Sequence, residues 1–449
     1  MRYSILRGAL ALLFAAVLSM GVARASGIVE VKSPGGITAW LIEDHTLPLI
    51  AVQFSFDGGA ALDPPGQEGR ANLAMDLLDE GAGELDSQAF KSRVEDLSVR
   101  LDFDASYDAV GGTMRTLSAN ADAAFDLLRL SVTSPRFDPA AIERVKSQVS
   151  SELREGAEAP RVIADRIWWR TAFPDHPYGR RSAGSLASIA TLTADDLRRF
   201  VAERFGRDKL TVGVVGDITP ERLQALLDRT FGALPAHAAV AAVAETAAFD
   251  EGALLVVNMP IPQSVVTFGE RGIKRNDPDW YAALVMNEIL AGNGVTSRLT
   301  AEIREKRGLA YGVGAGLSPL RHAGILYGRV ATRNDRVGDV LDILHSEWRR
   351  FRDDGPTPAE LAAAKTYLIG SFPLSLDTTS RLAGMLVSLQ VEKLGTDYIE
   401  QRAKALAAVT VDDVRRVAKR LLDPDRLRIV IVGAPKGLVG ATEIAADGG

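Results

Sequence analysis

The amino-acid sequence predicts an α+β fold of two homologous domains, each a mostly antiparallel sheet with helices layered on it. Two observations carry this. The mature chain opens on runs of alternating apolar residues, passes into helical spacing, and closes each half on a helix followed by an apolar strand, an order that argues against a doubly wound parallel sheet. The second half also repeats the first. Thr193-Ala-Asp-Asp-Leu-Arg-Arg returns as Thr410-Val-Asp-Asp-Val-Arg-Arg, and Leu210-Thr-Val-Gly-Val-Val-Gly as Leu427-Arg-Ile-Val-Ile-Val-Gly. Asp196 to Asp413 and Gly216 to Gly433 are both 217 residues apart, and a register shared across helix, loop and strand marks a duplication.

In chain order, Ile37, Ala39 and Leu41 alternate with other residues, as do Val52, Phe54 and Phe56, and the EDHTLP segment between them reads as the turn of a hairpin. A Gly, Asp and Pro-rich loop from Asp57 to Gly69 leads into a helix through Leu73, Met75 and Leu77 that ends by Gly81. Further helices are expected over Ser87 to Leu97, Ala121 to Ser131, Pro139 to Arg154 and Pro160 to Ala172. After His176-Pro-Tyr-Gly179 comes a helix N-capped by Thr193 with acids in its first turn, then the strand from Leu210. Ala71, Leu73, Met75 and Gly81 return as Ala282, Leu284, Met286 and Gly292, 211 residues on. The alanine-rich stretch His237 to Asp250 reads as the linker, so the domains are expected at 26–236 and 251–449.

Residues 1–25 read as a secretory signal peptide: Arg2 and Arg7, an apolar run from Gly8 to Val22, and the small-residue site Ala23-Arg24-Ala25 with cleavage after Ala25. The expected address is the periplasm, without membrane insertion after cleavage, since no later apolar run approaches about 18 residues. Disulfides and thiolate metal sites are excluded, because the chain has no cysteine. Without its first three arginines the formal charge moves from −6 to −9, which argues against nucleic acid as partner.

Chemistry concentrates between Ser297 and Gly316. Leu299, Ile303, Arg304 and Arg307 recur at helical spacing, Glu302 can pair with Lys306, Gly308 ends the helix, and Ala310, Tyr311 and Val313 begin a strand. The last helical turn thus delivers the Arg304 guanidinium, and the first strand residues the Tyr311 phenol, to one place. A five-donor fork beside a hydroxyl suits the carbonyls of an extended peptide or an oxyanion formed from one. Glu302 and Arg307 flank the pair, where they could orient it, but an acid-base pattern of this spacing on an exposed helix is usually a solvated face.

Taken together, the two repeats, a long helix ending in glutamate, HPYG, the VVGD closure and SRLxxEIREKRGLAY resemble the pitrilysin/insulinase family of zinc peptidases. The likeness is to the small-subunit branch that includes the mitochondrial processing peptidases, and it spans nearly all of the mature chain. It implies a clam-shell of which this chain is one half. It also implies an inverted zinc motif, HxxEH, on the first helix, and a third ligand glutamate about 75 residues on. The matching register here is Asn72-Leu73-Ala74-Met75-Asp76, with Glu152 at the third-ligand position. Asn72 and Asp76 stand where imidazoles are needed, and Met75 cannot take a proton from water. The five histidines form no HxxEH, HxxxH or HxH pair, so no metal is expected in this chain. An oxygen-only site of Asn72, Asp76 and Glu152 for a hard cation is a further reading, but Met75 leaves it without a base.

In the resembling peptidases the half lacking the zinc motif supplies an arginine and a tyrosine seven residues apart to the opposing active site. That spacing falls on Arg304 and Tyr311. The expectation is therefore a non-catalytic subunit of a periplasmic two-chain zinc endopeptidase. Its partner would carry HxxEH and the zinc, and Arg304 and Tyr311 would meet the peptide substrate in trans. The alternative is a structural or peptide-binding subunit of the same fold with no part in proteolysis.

Overall fold

In a computed structural model of the chain, residues 27–249, 251–292 and 297–446 are described. The expected signal peptide and its cleavage site lie outside them. The first half holds a six-stranded sheet in the order β1-β2-β8-β3-β7-β6: β1 Ile28–Lys32, β2 Thr38–Glu43, β3 Leu49–Asp57, β6 Arg100–Ala105, β7 Ala109–Leu117 and β8 Leu210–Gly216. Between β3 and β6 lies the two-stranded ribbon of β4 Gly81–Ala82 and β5 Leu85–Asp86. The second half repeats the plan in the order β11-β12-β10-β13-β9-β14: β9 Ala253–Asn258, β10 Gln263–Arg271, β11 Val313–Pro319, β12 Gly324–Arg333, β13 Arg428–Gly433 and β14 Thr442–Glu443. Antiparallel pairing dominates both sheets; β2 with β8, β13 with β9 and β14 with β9 are parallel.

One expectation fails here. β2 and β3 are not a hairpin, because β8 inserts between them, parallel to β2 and antiparallel to β3. Five of its seven residues, Val212 to Gly216, are buried, and a strand without a polar face takes the centre of a sheet. The first helix is also shorter than its apolar spacing predicts. It spans Arg70–Met75, and Leu77 and Leu78 then bond the carbonyls three residues back, so the chain tightens before β4.

The duplication reappears as identical local chemistry. Thr193 and Asp196 exchange side-chain and backbone hydrogen bonds as a capping box, and Thr410 and Asp413 do the same. Lys146 donates to the carbonyl of Ala190 (3.2 Å) and Lys365, 219 residues on, to that of Val409 (2.8 Å), again 219 on.

The halves are interlocked by a pair of exchanged helices. Pro160–Ala172 belongs to the first half yet packs on β13 and β10 of the second. Its repeat counterpart, Thr379–Val391, starts and ends 219 residues later and packs on β8 and β3 of the first. The first contact buries Ile163, Ile167 and Trp168 against Ile325, Val430 and Val432, and the Trp168 indole donates to the Arg428 carbonyl (3.1 Å). Asp165 accepts from Tyr327 (2.5 Å), Thr267 (3.1 Å) and the Arg329 fork (2.8 and 2.5 Å) across the same boundary. The second contact buries Ala383, Leu386 and Leu389 with Ala51 and Val215.

Residues 237–249 run between the halves without helix or strand. His176 bonds within the HPYG turn and also holds this stretch. Its Nδ1 accepts from the Tyr178 N–H (3.2 Å), which leaves the proton on Nε2 to donate to the Ala244 carbonyl (3.0 Å). Burial holds the ring's pKa below the usual value.

A buried acid adds pH dependence to the second core. Glu270 on β10 is 2% exposed and accepts from the Trp348 indole (2.5 Å) and the Asp423 N–H (3.0 Å). Loss of hydration outweighs those two donors and pushes its carboxyl from 4.5 up to about 8. The protonated form is therefore the one the fold favours. Its contribution is complete below about pH 4.5 and is lost as pH rises through about 8. Glu270→Gln is expected to flatten the fall in urea stability between pH 6 and 9; an unchanged slope would count against it.

Candidate functional site

Arg304 and Tyr311 are brought together, by a local structure other than the expected one. Leu299 and Ile303, both fully buried, anchor the segment in the second core. Thr300–Glu305 is a π-turn rather than an ordinary helix, and the Lys306 N–H bonds the Ala301 carbonyl five residues back (3.0 Å). Gly308, two residues past the C-cap Lys306, adopts φ 58°, a left-handed conformation that suits glycine. The chain then doubles back, with the Leu309 N–H on the Ile303 carbonyl (2.8 Å) and the buried Thr332 hydroxyl on the Leu309 carbonyl (2.6 Å). Tyr311 lies in this loop, and the strand begins two residues later at Val313.

The pair is open to solvent. Tyr311 is 90% exposed, the Arg304 guanidinium sits 5.1 Å from its ring centroid, and among the described residues no carboxylate forms an ion pair with Arg304. An exposed cation–π contact of this kind is worth about 0.5–1 kcal/mol, enough to bias Arg304 toward the ring and little enough for a ligand to replace. Glu302 accepts instead from Lys306 (2.6 Å) and Arg307. These two hold its carboxyl below the usual range, Lys306 contributing most.

A groove of 590 Å³ over the sheet is lined by Gly312, the residue after Tyr311, by Gly314 and Gly316, and by Tyr327, Arg329 and Arg161. A Cβ added at Gly312 or Gly316 would meet nothing within 4 Å, so the floor is bare by composition. β11 is the edge of its sheet.

The positions matching the zinc motif present a donor set that does not fit zinc. Met75 is 1% exposed and packs in the first core, where its thioether takes the place of a base. Asn72 donates to the Ser182 carbonyl (2.7 Å) and is committed there. Asp76 and Glu152 do come near one another. Asp76 is exposed as a residue, yet protein atoms crowd its carboxyl and, with Glu152 and Asp79 close by, push it up to about 6. Glu152 accepts from Gln148 (3.1 Å). Among the described residues no three His, Cys, Asp or Glu side chains converge as metal ligands. Two carboxylates that repel each other, an amide already bonded and a buried thioether offer neither imidazole nor thiolate to a borderline-soft ion.

Comparison with known proteins bears on this arrangement. Residues 39–185 match the model of the insulinase family (peptidase family M16), and residues 191–368 that of the peptidase M16 inactive domain. The "non-peptidase homolog YmxG" of Helicobacter pylori is 30% identical over 344 residues, 75% of this chain and 78% of that protein. The chain belongs to the M16 family. The mitochondrial-processing peptidase subunit beta of Lentinula edodes is 23% identical over 85% of this chain and 84% of its own. A crystal structure of a peptidase M16 inactive domain from Pseudomonas fluorescens superposes with a TM-score of 0.84 at 27% identity, covering 92% of this chain and 99% of that one.

Two features leave no mark in the order of residues. The π-turn has no signature in the apolar spacing, because Gly308 would end an α-helix equally well. The bond from Asp165 to Tyr327 and Arg329 joins residues 162 and 164 positions apart, beyond any local pattern.

Proposed function

We propose that this M16 chain is the non-catalytic subunit of a periplasmic two-chain zinc endopeptidase. Two such chains would close as a clam-shell, the partner supplying HxxEH and the zinc. The observation that carries this reading is the pairing of an exposed guanidinium, free of any carboxylate among the described residues, with an exposed phenol, one residue before Gly312 of the groove. The zinc-motif positions, by contrast, offer no fitting ligand set.

In the assembled pair, Arg304 would direct its fork at the carbonyl oxygens flanking the scissile bond, and the Tyr311 hydroxyl would donate to the oxygen on which negative charge develops. Donors already aimed at that place cost no reorganisation during the reaction. The metal of the partner would polarise the carbonyl and its water. The interlock within this chain keeps the pair at a fixed position relative to the first half, so closure between subunits brings both groups in together.

The test is affinity capture of the tagged mature chain from its native periplasm, with mass spectrometry and zinc analysis of the eluate. The reading expects an HxxEH-bearing M16 protein in equal amount and about one zinc per pair. Capture of the chain alone and free of metal would refute it and favour a structural or peptide-binding role.

A further inference from the structure

Four cations lie between Arg298 and Arg307, and the π-turn sorts them. Arg298 is buried, with its fork on Glu360 (2.7 and 2.9 Å) and on the Gly355 carbonyl (2.9 Å). Lys306 and Arg307 both close on Glu302, and Arg307 also donates to the Glu302 backbone carbonyl (2.9 Å). Only Arg304 is left without a carboxylate among the described residues.

An ordinary helix brings a side chain beside those three and four positions on, and the fifth lies round the cylinder. Here the turn is one residue wider, so Arg307, five after Glu302, arrives on the same side as Lys306, four after it. The Glu302 side chain is 13% exposed, against 62% for Lys306 and 47% for Arg307. The carboxylate is thus the fixed partner and the two cations fold down onto it.

We propose that Glu302 is a positioning residue for the Arg304/Tyr311 site: it holds Lys306 and Arg307 through the π-turn, so that of the four cations of this segment only Arg304 is left to meet a bound peptide. The inference rests on the trans-acting role proposed above and adds a selectivity to it. One guanidinium and one phenol suit neutral peptide carbonyls. Three loose cations would favour acidic side chains wherever they fell.

The experiment compares the assembled complex carrying wild type, Glu302→Gln, Arg304→Ala and the double variant. The probes are an internally quenched neutral peptide cut by the complex and its analogue with one glutamate beside the scissile bond. Glu302→Gln is expected to lower kcat on the neutral peptide about 3–10-fold. It should also shift kcat/KM toward the glutamate peptide by a similar factor, a shift that fades in 0.5 M salt. Adding Lys306→Ala and Arg307→Ala to Glu302→Gln should abolish the shift toward glutamate without restoring kcat. In the double variant with Arg304→Ala, Glu302→Gln should cost no further kcat.

Wild-type kcat and selectivity in Glu302→Gln, or additive losses in the double variant, would overturn the positioning role even with Arg304→Ala impaired. Unimpaired Arg304→Ala would instead sink the trans-acting reading itself. A thermal melt of Glu302→Gln near wild type confirms that the turn, and not the fold, was altered; a lowered melt with unchanged selectivity would assign Glu302 a structural role only.

Discussion

In the proposed two-chain complex, Arg304→Ala is expected to lower kcat by an order of magnitude or more, the scale expected when one donor to a developing oxyanion is removed. Tyr311→Phe, which deletes a single hydroxyl, has an effect of the same kind. The split between constants separates roles. A fall in kcat with KM unchanged places the donor at the transition state, whereas a rise in KM alone places it in ground-state binding. Arg304→Lys keeps the charge but loses the planar fork, so it should fall between wild type and alanine. Folding does not confound the measurement. Both side chains are exposed, and surface substitutions of this kind shift stability by about 0.5 kcal/mol or less. Wild-type turnover in Arg304→Ala and in Tyr311→Phe together would remove the site's assigned role.

Trp168→Ala is expected to cost about 3–5 kcal/mol, the usual range for emptying a buried tryptophan site. Its indole is fully buried between the halves and donates to the Arg428 carbonyl. It also lies so close to β10 that a Cβ on Gly269 would stand 2.5 Å from its Cζ2, which makes Gly269→Ala a second route to the same disruption. Because each half covers a face of the other's sheet with its own helix, the loss should spread through the whole molecule. Hydrogen exchange followed by mass spectrometry should show amides of β3 and of β10 speeding up together, and urea unfolding should remain a single transition. Faster exchange confined to the second half would contradict the interlock.

The interlock has a functional corollary. In the proposed complex, motion that opens a cavity around a substrate would occur between chains, because within this chain neither half can move without uncovering the other's core. The glycine-floored groove and the Arg304/Tyr311 pair therefore travel as one rigid face.

Much of this was legible in residue order. The duplication was visible because a capping box and a closing apolar strand obey local rules that survive divergence, and Thr193 with Asp196 and Thr410 with Asp413 show the same rule in both halves. The class of fold followed from the succession of periodicities. The seven-residue spacing of Arg304 and Tyr311 was plain because one turn and one loop join them. The mismatch of Asn72, Met75 and Asp76 to zinc was likewise a matter of donor chemistry, independent of position in space.

Other features depend on contacts that no local pattern encodes. Alternating residues told that β2 and β3 are strands, but pairing is settled by which strand fills the centre of the sheet, and β8, some 170 residues away in sequence, had the buried faces to do so. The exchange of helices Pro160–Ala172 and Thr379–Val391 likewise required both sheets to exist, since an amphipathic helix specifies that it needs an apolar surface and not whose. The sequence alone thus determined the elements, their repetition and the chemical identity of the candidate pair. Only the tertiary structure decided the strand order and the interlock, because both arise from packing between segments distant along the chain, and only it revealed the widened turn that leaves Arg304 free, which apolar spacing does not mark.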